Sequence, residues 1–189
     1  DAGDAQYGLS PVGRQFLAGQ LAHAQGMCAV VAPLVNSYKR LVPGFEAPVM
    51  VSWARLNREA LVRVPRVAAG EAEMLRIELR SPDPSCNPYL AFAVMLRAGL
   101  DGIAHELTLP APVEEELIGL DELARLHKGI ALLPATLGEA LAALQEDAVV
   151  QAALGELIVA WFAEAKLEEW QDYRRHVHQW ELDRYLPVF

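Results

Sequence analysis

Between Pro11 and Val31 apolar residues recur at spacings of four and three (Leu17, Leu21, Ala24, Cys28, Val31), which predicts a helix with one buried face. Ser10 followed by Pro11 marks its start, because a serine oxygen can accept a first-turn N–H and proline lacks the N–H that would be left over. Cys28 therefore reads as a core position. From Val49 to Arg80 the period falls to two, with Val49, Val51 and Trp53 on one face and Gly and Pro separating the pieces. The clearest predicted strand is Met74 to Arg80, where Leu75, Ile77 and Leu79 point one way and Arg76, Glu78 and Arg80 the other. After a turn at Pro82-Asp83-Pro84, Asn87-Pro88 opens a helix whose Tyr89, Phe92, Leu96, Leu100 and Ile103 form an apolar stripe. Leu109 to Gly119 reads as a loop. Thr136 and Glu139 have capping-box spacing for a helix ending near Glu146-Asp147, and Trp170, Tyr173, Val177 and Trp180 make a last helical stripe. The expected class is α+β, a short antiparallel sheet packed by helices, without internal repeats.

Charge sharpens this picture. The 189 residues are 53% apolar and 22% charged, which excludes global disorder, and the net charge of −9 argues against a broad nucleic-acid-binding face. Yet Lys39 to Arg80 holds eight basic against five acidic residues, whereas Ser81 to Phe189 holds seven against eighteen. An electropositive window in an acidic chain suits a compact anionic ligand rather than a polymer. Cys28 and Cys86 form no CxxC pair, which points to a reducing, cytoplasmic compartment. Residues 1–8 are expected to be a polar tail rather than a signal peptide. The apolar stretch Tyr89 to Leu100 is too short for a membrane span, so no membrane partner is expected.

The Arg76-Ile77-Glu78-Leu79-Arg80 strand sets two guanidiniums and a carboxylate about 7 Å apart in succession along one face, and could bind phosphate or carboxylate groups. Its carboxylate could ligate a divalent cation. A solvated strand face with cross-strand ion pairs gives the same alternation. Arg40, Arg55, Arg58, Arg63 and Arg66 add to the charge, and arginine's planar fork suits bidentate oxyanion binding. The loop from Asn36 to Pro48 mixes turn formers with Lys39, Arg40 and Glu46, and could hold Glu46 over a ligand bound by Arg40. His176 and His178, two apart on the expected helix, do not face one side and make a poor metal pair. No Ser/His/Asp signature, P-loop or GxGxxG is present.

Three segments together carry a resemblance. Asn36 to Pro48 (NSYKRLVPGFEAP), Asn57-Arg58 followed by Leu61-Val62-Arg63-Val64-Pro65, and Arg76 to Pro84 running into Asn87-Pro88-Tyr89-Leu90 strongly resemble the C-terminal part of bacterial type I glutamine synthetase. The match continues through Ala98-Gly99-Leu100-Asp101-Gly102-Ile103 to Glu169-Trp170 and Trp180-Glu181, covering nearly everything after Leu9. Residues 9–189 are accordingly expected to be the C-terminal portion of that family's catalytic domain.

The resemblance implies ATP-dependent amide formation from glutamate and ammonia through γ-glutamyl phosphate. It implies that Arg40 and Arg80 hold glutamate, that Glu46 on a flap takes a proton from ammonium, and that Arg58 neutralises the transferring phosphoryl group. Arg58, Arg63 and Arg76 would contact nucleotide phosphates, and Glu78 would ligate one of two Mg2+ or Mn2+ ions. In the family two hexameric rings stack into a homo-dodecamer, and Tyr185 to Phe189 would suit a contact with the opposing ring. The family's enzymes are more than twice this length, so the isolated chain is expected to be an inactive fragment. Two departures stand out: Pro65 to Arg76 is long and acidic, with Glu71 and Glu73, and Glu106 to Gly129 contains no tyrosine for adenylylation. A ligase joining glutamate to a polyamine or another amine is one alternative. A non-catalytic binding or assembly module is another.

Overall fold

A computed structural model describes residues 7–43, 47–68, 71–115 and 122–188. The first predicted helix is two: α1 (Pro11–Ala22) and α2 (Ala24–Val31), joined at His23, whose backbone leaves the helical region at φ −100°, ψ 9°. Ser10 caps α1 as its pattern requires, its Oγ accepting the Gly13 N–H at 3.1 Å. A short helix, α3 (Ser37–Arg40), precedes strands β1 (Met50–Ala54), β2 (Ala60–Arg63) and β3 (Glu78–Leu79). The rest is helical: α4 (Pro88–Ala104), α5 (Glu122–His127), α6 (Leu137–Glu146), α7 (Ala148–Leu154), α8 (Glu156–Arg175) and α9 (Gln179–Tyr185).

The α+β class holds, but the sheet, in order β1-β2-β3, is mixed rather than antiparallel. β2 and β3 pair antiparallel, with Arg63 opposite Glu78, while β1 and β2 run parallel with an irregular register between Met50 and Trp53. Residues 55–59 do not form the tight two-residue turn that imposes antiparallel pairing. They make a loop held to residues 113–115 instead. The predicted strand over Met74–Arg80 shrinks to two residues, because β3 finds ladder partners only at Val62 and Arg63, and Ala72–Met74 forms a 3₁₀ turn.

Two apolar clusters build the core. One joins α2, α4, α6 and α7 through Met27, Val31, Val94, Leu137, Leu144 and Val150; the other packs Leu17, Leu21, Trp53, Leu61, Val62 and Tyr7 beneath the sheet. Cys28 is wholly buried in the first, as its spacing implied, and burial pushes its thiol up to about 12. The stripe expected to anchor α4 faces outward: Tyr89, Phe92, Leu96 and Leu100 are exposed, while Ala91, Val94, Ala98 and Gly102 are buried. Close backbone approach to α1 decides this. A Cβ at Gly102 would lie 2.2 Å from the Gln15 carbonyl oxygen and 2.7 Å from the Gly19 nitrogen, so only a hydrogen there lets the helices meet.

The caps at Asn87 and Thr136 form as expected. Asn87 Oδ1 accepts the Tyr89 N–H at 3.0 Å, and Thr136 Oγ1 accepts the Glu139 N–H at 3.1 Å. The last aromatic stripe is not one helix, since α8 ends at Arg175 and α9 begins at Gln179, so His176 and His178 lie in the break rather than on a helix. Among the described residues no single helix is long and apolar enough to cross a membrane.

Candidate functional site

The electropositive window closes around β2 and β3. Antiparallel register sets Arg63 across from Glu78, with Nη1 3.5 Å from Oε2, and Arg76 reaches the other oxygen, Nε to Oε1 at 2.8 Å. One carboxylate is thus held between two guanidiniums at a half-exposed sheet edge. The Nε atoms of Arg63 and Arg40 are buried without a hydrogen-bond partner among the described residues. An unanswered donor beside excess positive charge is what an oxyanion site offers.

Arg80 does not join this trio. Its Nη1 donates to the Ala60 carbonyl at 3.0 Å and to the Arg58 carbonyl, bracing the turn between β1 and β2. Arg40, at the end of α3, donates to the Ser81 carbonyl at 2.5 Å and to that of Arg80 at 3.5 Å, so the two arginines make consecutive backbone clasps. Arg40 also lines a cavity of about 270 Å³ with Leu34, Asn36, Ser37, Asp83, Pro84 and Ser85. Glu46 lies outside the described residues.

Arg58 sits exposed at the centre of the loop. Asn57 Oδ1 accepts the Glu59 N–H at 2.8 Å, an Asx turn with Arg58 in the middle, and the Asn57 amide donates to the carbonyls of Val113 (3.1 Å) and Glu115 (2.6 Å). The Glu114 carboxylate answers from the other side, accepting the Arg55 and Leu56 N–H groups at 2.8 and 3.0 Å and the Tyr7 hydroxyl at 2.9 Å. Partial burial works to raise the Glu114 carboxyl, but the Leu56, Arg55, Tyr7 and Asn57 hydrogen bonds outweigh it and hold the group below the usual carboxylate range. Sequence reasoning missed Glu114, because nothing in an irregular loop singles out one of the three consecutive acids Glu114-Glu115-Glu116 by period.

A profile for the catalytic domain of glutamine synthetase matches residues 1–185. The chain belongs to the glutamine synthetase family. It is 51% identical over 186 residues to the glutamine synthetase of Thermus thermophilus, covering 98% of this chain and 41% of that protein. The glutamine synthetase of Halobacterium salinarum is 50% identical over 186 residues, with 98% and 40% covered. Among solved structures, a GmaS/ADP complex in conformation 1 matches with a TM-score of 0.80 at 38% identity, over 98% of this chain and 42% of the other. Ligand-free GmaS matches at 0.78 and 37%, over 97% and 40%. This chain therefore spans about two fifths of the length of the relatives it matches.

Metal ligation is tested by the same geometry. Among the described residues no cluster of three metal-ligating side chains exists, and both oxygens of Glu78 already face guanidiniums. The described residues alone do not fit a resident divalent ion.

Proposed function

We propose that this chain is the C-terminal portion of an ATP-dependent ligase that joins ammonia to the γ-carboxylate of glutamate, and that its part of the work is to hold and neutralise the reacting oxyanions. The observation that carries the reading is the Arg63–Glu78–Arg76 edge beside the Arg58 turn, in a chain half identical to glutamine synthetases. In the reaction the γ-phosphoryl group of ATP passes to the glutamate γ-carboxylate, ammonia attacks the resulting acyl phosphate carbon, and phosphate leaves. Negative charge builds on the transferring group, and fixed guanidiniums stabilise it without reorganising.

Arg58 faces that group from the braced turn, while Arg63 and Arg76 take the nucleotide phosphates. The GmaS/ADP complex, which shares this fold, supports nucleotide binding by the complete enzyme. Arg40, with its unanswered Nε, and Arg80 hold the glutamate substrate, and Glu46 takes the proton from ammonium. Mg2+ or Mn2+ would serve the complete enzyme by screening phosphate charge. Glu78 offers it a single carboxylate, and no step here passes through the metal. The exposed Tyr185, Leu186 and Val188 support contact between rings in a homo-dodecamer. The test is glutamine formation by the complete enzyme carrying Arg58→Ala, for which turnover falls at least a hundredfold (about 3 kcal/mol) with melting unchanged. Unchanged turnover refutes the reading.

A further inference from the structure

The loop of residues 110–115 is stitched to the end of β1 and to the turn that carries Arg58 through Pro110, Val113, Glu114 and Glu115. Trp53 Nε1 donates to the Pro110 carbonyl at 2.7 Å, and the Val113 N–H donates back to the Trp53 carbonyl at 2.9 Å. Asn57 then bridges Val113 and Glu115, and Glu114 receives the backbone of Arg55 and Leu56. Behind the carboxylate Tyr7 packs edge-on against buried Trp53, ring centroids 4.8 Å apart, with the Arg55 guanidinium 4.6 Å over the Tyr7 ring. Arg58 is thus fixed through its backbone on both sides, whereas no hydrogen bond or ion pair holds its side chain among the described residues.

We infer that Glu114 is a positioning residue: its carboxylate gathers the 55–57 backbone so that Arg58 is presented in one orientation to the transferring phosphoryl group. The inference rests on the role given to Arg58 above. Only an acceptor-only group suits the place, since one oxygen meets the Leu56 N–H and the other meets the Arg55 N–H and the Tyr7 hydroxyl. A glutamine would set an NH2 donor against one of these donors and force the turn to shift. Displacing a catalytic group by about 1 Å costs on the order of a hundredfold in rate.

The experiment uses the complete enzyme with Glu114→Gln, Arg58→Ala and the double variant. Glu114→Gln is expected to lower kcat about thirtyfold with KM for ATP and glutamate unchanged, and to cause no further loss once Arg58 is alanine. A merely structural role lowers activity through loss of folded enzyme, so its effect adds to that of Arg58→Ala. Additive losses, or unchanged kcat in Glu114→Gln while Arg58→Ala is crippled, overturn the inference. Full activity in Arg58→Ala instead overturns the reading it rests on. Should Glu114→Gln not fold, Tyr7→Phe removes one bond to the same oxygen and keeps the ring on Trp53. Its kcat is expected to fall about threefold, an effect absent when Arg58 is alanine; an unchanged kcat overturns the inference.

Discussion

His23 lies between two carboxylates contributed by distant helices, and replacing it with alanine tests how the helical layer is held. Its Nδ1 is 2.9 Å from Asp147 Oδ2, at the start of α7, and its Nε2 is 3.1 Å from Asp101 Oδ2, on α4; all three side chains are 13–14% exposed. Asp147 also caps α7 through its other oxygen, which accepts the Val149 and Val150 N–H groups at 3.1 and 3.0 Å, and that cap survives the substitution. Removing one partner of a buried ion pair costs about 3–5 kcal/mol, and the residual solvent access here brings the expectation to about 2–3 kcal/mol.

The pH dependence makes the test specific. Hydrogen bonding to Asp147 outweighs desolvation and, with Asp101, raises His23 above its ordinary 6.5; Asp147, despite desolvation, is lowered below 3.8 by His23 and the α7 N–H groups. A neutral imidazole donates only one proton, so at high pH one carboxylate would face a ring lone pair. The His23 contribution is therefore complete below pH 6.5 and fades as pH rises through its raised folded value. That of Asp147 is present above 3.8 and is lost as pH falls through its lowered one. Urea unfolding followed by tryptophan fluorescence should show the cost of His23→Ala to be larger at about pH 6 than at about pH 9. An equal cost at both pH values would refute a charged bridge.

Other outcomes follow from the same geometry. Gly102→Ala drives a Cβ into the backbone of α1 and should destabilise by about 3 kcal/mol in the same assay. Thr136→Ala loses the α6 cap and should cost about 1 kcal/mol. Iodoacetamide at about pH 8 should modify partly exposed Cys86 slowly and spare Cys28, whose buried thiol stays protonated, until the protein is unfolded. The purified 189-residue chain should form no glutamine from glutamate, ammonia and ATP with Mg2+, since its described residues bring together no three metal-ligating side chains; robust synthesis would contradict the reading of this chain as one portion of the ligase.

Helix starts were legible because a cap is local chemistry: Ser10-Pro11, Asn87-Pro88 and Thr136 with Glu139 each place an acceptor within three residues of the N–H it meets. The arginine-rich window was legible as charge, and Arg63, Glu78 and Arg76 do come together, since antiparallel pairing sets Arg63 opposite Glu78 and alternation places Arg76 on the same face. Arg40 and Arg80 read equally well as anion binders; that each guanidinium also clasps backbone carbonyls depends on where the 58–60 and 80–81 segments pass.

Periodicity ranks faces by apolar character, and on α4 that ranking named Tyr89, Phe92, Leu96 and Leu100. Packing chose the opposite face, because α1 approaches so closely that only Gly99, Gly102 and Ala98 fit between the two helices. Likewise nothing local marks His23, Asp101 and Asp147, or Tyr7, Glu114 and Arg55, as groups; they are 78 or more and 59 or more residues apart across their closing bonds. The chain's own order of residues thus dictates caps, charge and helix content, which act over a few bonds. Which carboxylate meets which cation or backbone N–H is decided only when the helices and the sheet dock, because that choice depends on through-space distance.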